Sequence, residues 1–238
     1  MKILIPTAKD MSKTLSPKHF EPVKEKTRKI IERLSQMSTG ELARLYKIKE
    51  EQAKKEKERF DQIKEGTAAM YPAILLFDGL MYRSISRGGL SSEEEDYLQK
   101  NVLICSSLYG MIPPYTLISE HRLDFLQNIK IEGRSLKQYW REEFEKEIAG
   151  EKEVLSLLSE EFESVFSKEK TRHWISPLFK ERTQSGLRVH STVSKKARGE
   201  LLSYLMRNRV ENIEEIRKIE FAGFRYEGEE KGRALFIK

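Results

Sequence analysis

Apolar positions along this chain come in short blocks separated by charged stretches. Lys2 to Pro6 is an apolar run closed by proline, which predicts a buried first strand and then a loop carrying Thr7, Ala8 and Lys9. Behind Pro22, the residues Val23, Ile30, Ile31, Leu34 and Met37 fall at helical spacing and predict an amphipathic helix. Ser38-Thr39-Gly40-Glu41 offers a capping box for a second helix with Leu42, Leu45 and Ile48 as its stripe, running on through Lys47 to Glu65. Ala73 to Phe77 reads as a strand closed by Asp78-Gly79, with Met81 to Ile85 as its hairpin partner. Ser92 with Glu95 repeats the capping signature ahead of a short acidic helix, and Val102 to Cys105 reads as the next strand.

The second half continues in the same way. Leu136 to Ile148 is helical, with Leu136, Tyr139, Trp140, Phe144 and Ile148 on one side. Val154 to Leu158 reads as a strand and Glu160 to Lys170 as a short helix. Trp174 to Lys180 and Leu187 to Val193 are extended by pattern around the turn Thr183-Gln184-Ser185-Gly186. Lys195 to Arg209 returns to helical spacing, and the tail alternates Ile219 to Tyr226 and Ala234 to Ile237 across a polar turn from Glu227 to Gly232. Strands and helices are interspersed without a repeat or long linker, which predicts one mixed α/β domain over residues 1–238, without regular βαβ units.

Composition narrows the class. With 38% hydrophobic and 34% charged residues, the chain reads as a folded domain with a heavily charged surface. A single cysteine, Cys105 in an apolar run, excludes an internal disulfide framework and points to a reducing compartment; a cysteine so placed reads as core. The N-terminus meets Lys9 and Asp10 too early for a signal peptide, and no membrane-length apolar stretch follows. A cytoplasmic protein without membrane partners is expected. The net charge of +6 favours polyanionic partners wherever it gathers in one place.

It gathers at Ser194-Lys195-Lys196-Ala197-Arg198-Gly199 and Arg207-Asn208-Arg209, five cations against Glu200. Positions 195, 198, 202, 206 and 209 share a helical face, so Lys195, Arg198 and Arg209 form a row suited to phosphates. The mixed charges from Lys47 to Glu65 nearly cancel and read as a solvated helix. Enzymatic signatures are sparse. His19, His121, His173 and His190 are scattered, and neither a phosphate-loop motif nor a Gly-x-Ser-x-Gly elbow occurs. No metal or other cofactor is implied. Asp78, Asp124 and Glu120 are the carboxylates a phosphoryl-transfer centre would use, Arg87-Gly88-Gly89 reads as a turn, and Tyr109 and Tyr139-Trp140 read as packing or as base-stacking platforms.

Several motifs together resemble the YaaA family of peroxide stress proteins. They are Ile5-Pro6-Thr7-Ala8-Lys9 after the first strand, Leu108-Tyr109-Gly110 followed by His121-Arg122-Leu123, Tyr139-Trp140, and Lys195 to Gly199 with Asn208-Arg209, in order over essentially the whole chain. The resemblance implies a compact α/β domain with a cationic cleft, a helix-hairpin-helix-like element that grips DNA backbones, and protection of DNA during peroxide stress. Two departures stand out. Leu80 occupies an acidic position of the family pattern Phe-x-Gly-Asp-Val-Tyr, and Pro113-Pro114-Tyr115-Thr116 replaces Arg-Pro-Leu-Asp.

Residues and resemblance together favour a non-enzymatic protein of the peroxide stress response. Its expected partner is double-stranded DNA, bound with little sequence preference through Lys9, Arg122, Lys195, Lys196, Arg198 and Arg209. The alternative is an enzyme acting on a phosphorylated or nucleic-acid substrate in the same cleft.

Overall fold

The structure, a computed structural model, describes residues 1–184 and 186–238. The opening run forms β1 (Lys2–Pro6), in which Ile3, Leu4 and Ile5 are all fully buried. Consecutive buried residues require cover on both faces of the strand, as in the middle of a parallel sheet.

Three helices follow, α1 (Glu25–Ser35), α2 (Thr39–Tyr46) and α3 (Glu50–Glu65). The first begins two residues beyond Val23, with Lys24 at its N-cap. The capping box at Ser38 is present: its hydroxyl accepts from the Glu41 N–H, and the Glu41 carboxylate accepts from the Ser38 N–H. The single helix expected through Lys47 to Glu65 is instead broken, because Lys47 turns left-handed (φ 53°). The break lets α2 fold back and pack against α3, which one continuous helix would forbid.

The strands expected at Ala73 to Phe77 and Met81 to Ile85 are corrected too. The strand is β2 (Met70–Pro72), followed by the single-turn helices α4 (Ala73–Leu76) and α5 (Leu80–Arg83). Ala73, Ile74, Leu76, Phe77, Met81 and Tyr82 are buried. A short apolar run buried on all sides carries no period to separate strand from helix. Helix α6 (Ser92–Asn101) is capped by Ser91 with Glu94, one residue earlier than the Ser92 and Glu95 pair expected.

Next come β3 (Val102–Ser106), β4 (Gly110–Ile112), β5 (Leu117–Ser119), β6 (Lys130–Ile131), β7 (Arg134–Ser135), α7 (Leu136–Glu147) and β8 (Val154–Ser156). The acidic stretch divides into α8 (Glu160–Glu163) and α9 (Lys168–Thr171) instead of forming one helix. β9 (Pro177–Thr183) and β10 (Gly186–Arg188) flank the expected turn, whose Ser185 lies outside the described residues. Helix α10 (Ser191–Arg207) takes in Ser191 to Val193, which alternation assigned to a strand. After a 3₁₀ turn over Ile213–Lys218 come β11 (Glu220–Phe221), β12 (Phe224–Glu230) and β13 (Arg233–Ile237). The polar turn expected from Glu227 is confined to Lys231 and Gly232, both at positive φ (52° and 73°), since β12 runs to Glu230.

Two main sheets result, in the mixed α/β class expected. The first has the order β4-β3-β1-β8, with β1 parallel to both β3 and β8 and β4 antiparallel at the edge. The second has the order β10-β9-β13-β12-β11, parallel only at β9 and β13. One hydrophobic core spans both, making a single domain. A helix-hairpin-helix element is not confirmed among these elements.

Two contacts tie the halves together. The Glu163 carboxylate accepts from Ser156 at the end of β8, from Ser176 ahead of β9 and from Arg233 of β13, at 2.6, 2.8 and 2.8 Å. Helix α10 inserts Leu201, Leu202, Leu205 and Met206, all at 0% exposure, and packs on α5, α6 and β9. At Gly199 it comes so close to α5 that an added Cβ would sit 2.2 Å from the Met81 carbonyl oxygen. Gly199→Ala gains helix propensity of about 1 kcal/mol. The obstructing atom is backbone, however, and overpacking of this kind costs about 1–3 kcal/mol. Net destabilisation is expected, read as a lower melting temperature; a Gly199→Ala chain that melts as high as the parent contradicts the close packing.

Candidate functional site

Because β1, β3 and β8 run parallel, their carboxyl ends open on one side of the sheet, where α/β proteins place ligands. From β1 come Pro6 and the loop Thr7 to Asp10; from beyond β8 come Ser159, Glu161 and Phe162; Leu123 and Asp124 lie past β5. Gly79 to Tyr82 and the first turns of α10, through Lys195 and Arg198, complete the wall of a cavity of about 390 Å³. Two contacts set this wall. The Tyr82 hydroxyl donates to the Pro6 carbonyl at 2.8 Å, and Gly79 meets Ala8 so closely that a Cβ would lie 2.8 Å from the alanine methyl.

The lining is balanced in charge. Lys9, Lys195 and Arg198 face Asp10, Asp124 and Glu161, so the cavity is not the cationic cleft expected. Asp124, 6% exposed, pairs with Lys9 at 3.1 Å, while its other oxygen accepts from the Leu126 N–H at 2.9 Å. Glu161 accepts from the Phe125 N–H at 3.0 Å. Burial, reinforced by the Asp124 charge, lifts the Glu161 carboxyl above its ordinary pKa. Asp124 and Glu161 thus give the lining an acidic part.

Arg198 is half-buried, and burial lowers its pKa. Among the described residues no hydrogen bond or ion pair engages its guanidinium. The acid whose charge acts on it is Glu163, already committed to Ser156, Ser176 and Arg233. Lys195 lies one turn earlier, exposed and without an ion pair.

The other expected contacts do not converge here. Lys196 is exposed and outside the lining. Arg209 lies beyond the C-terminal end of α10, in the left-handed conformation (φ 51°), and is also outside the lining. Arg122 is half-buried and also outside the lining; its Nε, the Tyr46 hydroxyl and one Glu56 oxygen are buried without hydrogen-bond partners. The row anticipated along α10 is interrupted, since Leu202 and Met206 are fully buried in the core. Glu161 escaped notice in an acidic stretch, and its one signal was the apolar Phe162 beside it.

Most other candidates prove structural. Asp78 pairs with Arg83 and Arg87 at 3.0 and 3.2 Å, and Glu120 pairs with Arg59 and Lys13, both at 2.9 Å. Among the described residues no group of three or more His, Cys, Asp or Glu is placed to hold a metal ion. The Trp140 indole donates to the Ser107 carbonyl at 2.8 Å, and the Tyr109 hydroxyl accepts from the Ser119 N–H at 3.1 Å, both inside the core. Cys105 is fully buried, and burial pushes its thiol well up from the usual range. No described helix is long and apolar enough to cross a membrane.

The family profile described as peroxide stress protein YaaA matches residues 1–230. The chain belongs to the YaaA family. Its curated relatives in the family include a UPF0246 protein of Streptococcus gordonii, 47% identical over 227 residues, covering 95% of this chain and 93% of that one. Others are UPF0246 proteins of Streptococcus sanguinis, 45% identical, and of Streptococcus pneumoniae strain CGSP14, 42% identical, each covering 95% of this chain and 93% of the relative. A role in the peroxide stress response is thereby supported. Within this YaaA chain, the motif His121-Arg122-Leu123 divides its labour: His121 packs inside, Arg122 turns toward Tyr46 and Glu56, and Leu123 reaches the cavity.

His121 is 2% exposed, packs edge-on against Tyr109 and donates from Nδ1 to the Ser119 carbonyl at 2.9 Å. Burial lowers its pKa to about 4 from 6.5. The unfolded chain therefore holds the extra proton between these values, so this contribution is complete above pH 6.5 and is lost as pH falls toward 4. The loss is of order 3 kcal/mol. A His121→Asn chain should show a shallower fall in melting temperature over that window, and an unchanged slope contradicts a neutral core histidine. Cys105 should resist iodoacetamide at pH 8 in the folded chain and react once denatured; stoichiometric labelling of the folded chain would remove it from the core.

Proposed function

We propose that this YaaA protein serves the peroxide stress response by binding DNA through phosphate contacts with little sequence preference. The observation that supports this reading is the pair of exposed ammonium groups on α10, Lys195 and Lys196, neither joined to an acid. Some other surface lysines are neutralised, as Lys57 is by Asp61 and Lys100 by Glu211. Arg182 and Arg188 on β9 and β10 are likewise exposed without an ion pair, and they lead directly into this end of α10. Cations without internal partners give up nothing when they meet a phosphate, and each contact releases condensed counterions. In this reading Arg209 extends the contacts toward the other end of the helix, while Lys9, Arg122 and Arg198, paired or half-buried, add attraction at longer range.

Titration of labelled duplexes of unrelated sequence should show affinity falling log-linearly with salt. Changing Lys195 and Lys196 together to Gln should flatten that slope by up to about 2 units and weaken binding to every sequence alike. The matched control is Lys54 and Lys55 to Gln on α3, both exposed and unpaired. Salt-independent binding removes the phosphate mechanism, and equal losses from the two double changes remove the assignment to α10.

A further inference from the structure

We propose that the cavity binds a small phosphate monoester, its phosphoryl group on Arg198 and Lys195 and its hydroxyl or amino groups against Asp124 and Glu161. This site shares Lys195 with the proposed DNA surface and adds the half-buried Arg198, which the cavity lining also contains. Its volume of about 390 Å³ suits a molecule the size of a nucleotide.

Arg198 carries the argument. The guanidinium of a half-buried arginine stands in the cavity lining, yet the acid whose charge acts on it, Glu163, has both oxygens occupied by Ser156, Ser176 and Arg233. Removing a charge from water without bonding a partner is costly, and an anion in the cavity would supply the partner. The planar fork of donors matches two phosphate oxygens at once. Lys195, one turn earlier in the lining, adds a second cation, which favours a dianion over a carboxylate.

The acidic part of the lining calls for a different chemistry. Asp124 is already balanced by Lys9, and Glu161 keeps one oxygen on the Phe125 N–H while the other engages no described group. Acceptors so placed suit sugar hydroxyls or a base amino group. Between the two ends Ala8, Leu80 and Phe162 offer an apolar strip for the body of the ligand. Leu80 matters here, because an acid at that position would add a fourth carboxylate to the lining.

Isothermal titration of the full chain with nucleoside 5′-monophosphates, ribose 5-phosphate, inorganic phosphate and the matching nucleosides tests the site. At least one ester should bind saturably, with its dephosphorylated counterpart at least tenfold weaker. Arg198→Gln should weaken the ester at least tenfold, and Lys196→Gln should leave it unchanged. If Arg198→Gln melts well below the parent, Arg198→Lys decides the matter: it keeps the charge but loses the fork, and should still bind severalfold more weakly. No saturable binding up to about 10 mM overturns the proposal. So do equal affinities for ester and nucleoside, or an Arg198 variant that is folded and unimpaired. The DNA reading fails separately, through absence of duplex binding by the parent chain, which leaves the titration result intact.

Discussion

The contact between Gly199 and the Met81 carbonyl governs the architecture more than any other. With no Cβ on that face, α10 lies against α5 at a distance no other residue allows. From that position its next turns drive Leu201, Leu202, Leu205 and Met206 into the core, while the preceding turns carry Lys195 and Arg198 to the cavity. A helix held farther out would leave the core underfilled and the cavity open along one side. Packing and site therefore rest on one missing methyl group.

Charge in this molecule is distributed by partner rather than by sign. The chain carries +6 overall, yet its cavity is balanced and most of its buried or half-buried ions are matched. Arg87 illustrates the structural use of a cation: it donates to the Ile74 and Phe77 carbonyls at 2.5 and 2.6 Å and pairs with Asp78, holding the corner between α4 and α5. Exposed pairs such as Arg134 with Glu132 contribute little to stability by comparison. Against that background the unmatched groups of α10 become informative.

Where the sequence speaks through period or cap chemistry, the fold was legible. β1, β3, α7 and the Ser38 capping box follow from runs, stripes and reciprocal hydrogen bonds confined to a few residues. Where tertiary contact decides, it was not. The run from Ala73 to Phe77 is buried on all sides and so carries no period, and the break at Lys47 exists because α2 must pack on α3. At the site, the cluster from Lys195 to Arg198 was visible as composition, but its division into solvent-facing Lys196 and inward-facing Arg198 depends on which face Gly199 presses against α5. Glu161 was hidden because nothing local distinguishes an acid that faces a cavity from its neighbours that face water.

Two of the three acids of the short helix α8 look in different directions. Glu161 forms part of the cavity wall, and Glu163, two residues on, is bolted to Ser156, Ser176 and Arg233. Residues two apart on a helix project to different sides, so this single turn serves the cavity wall and the joint between the sheets at once. Through Arg233, the Glu163 carboxylate joins β13 to the same helical turn that carries Glu161. The central strand of the second sheet is thereby linked, through one carboxylate, to a cavity whose lining it does not enter.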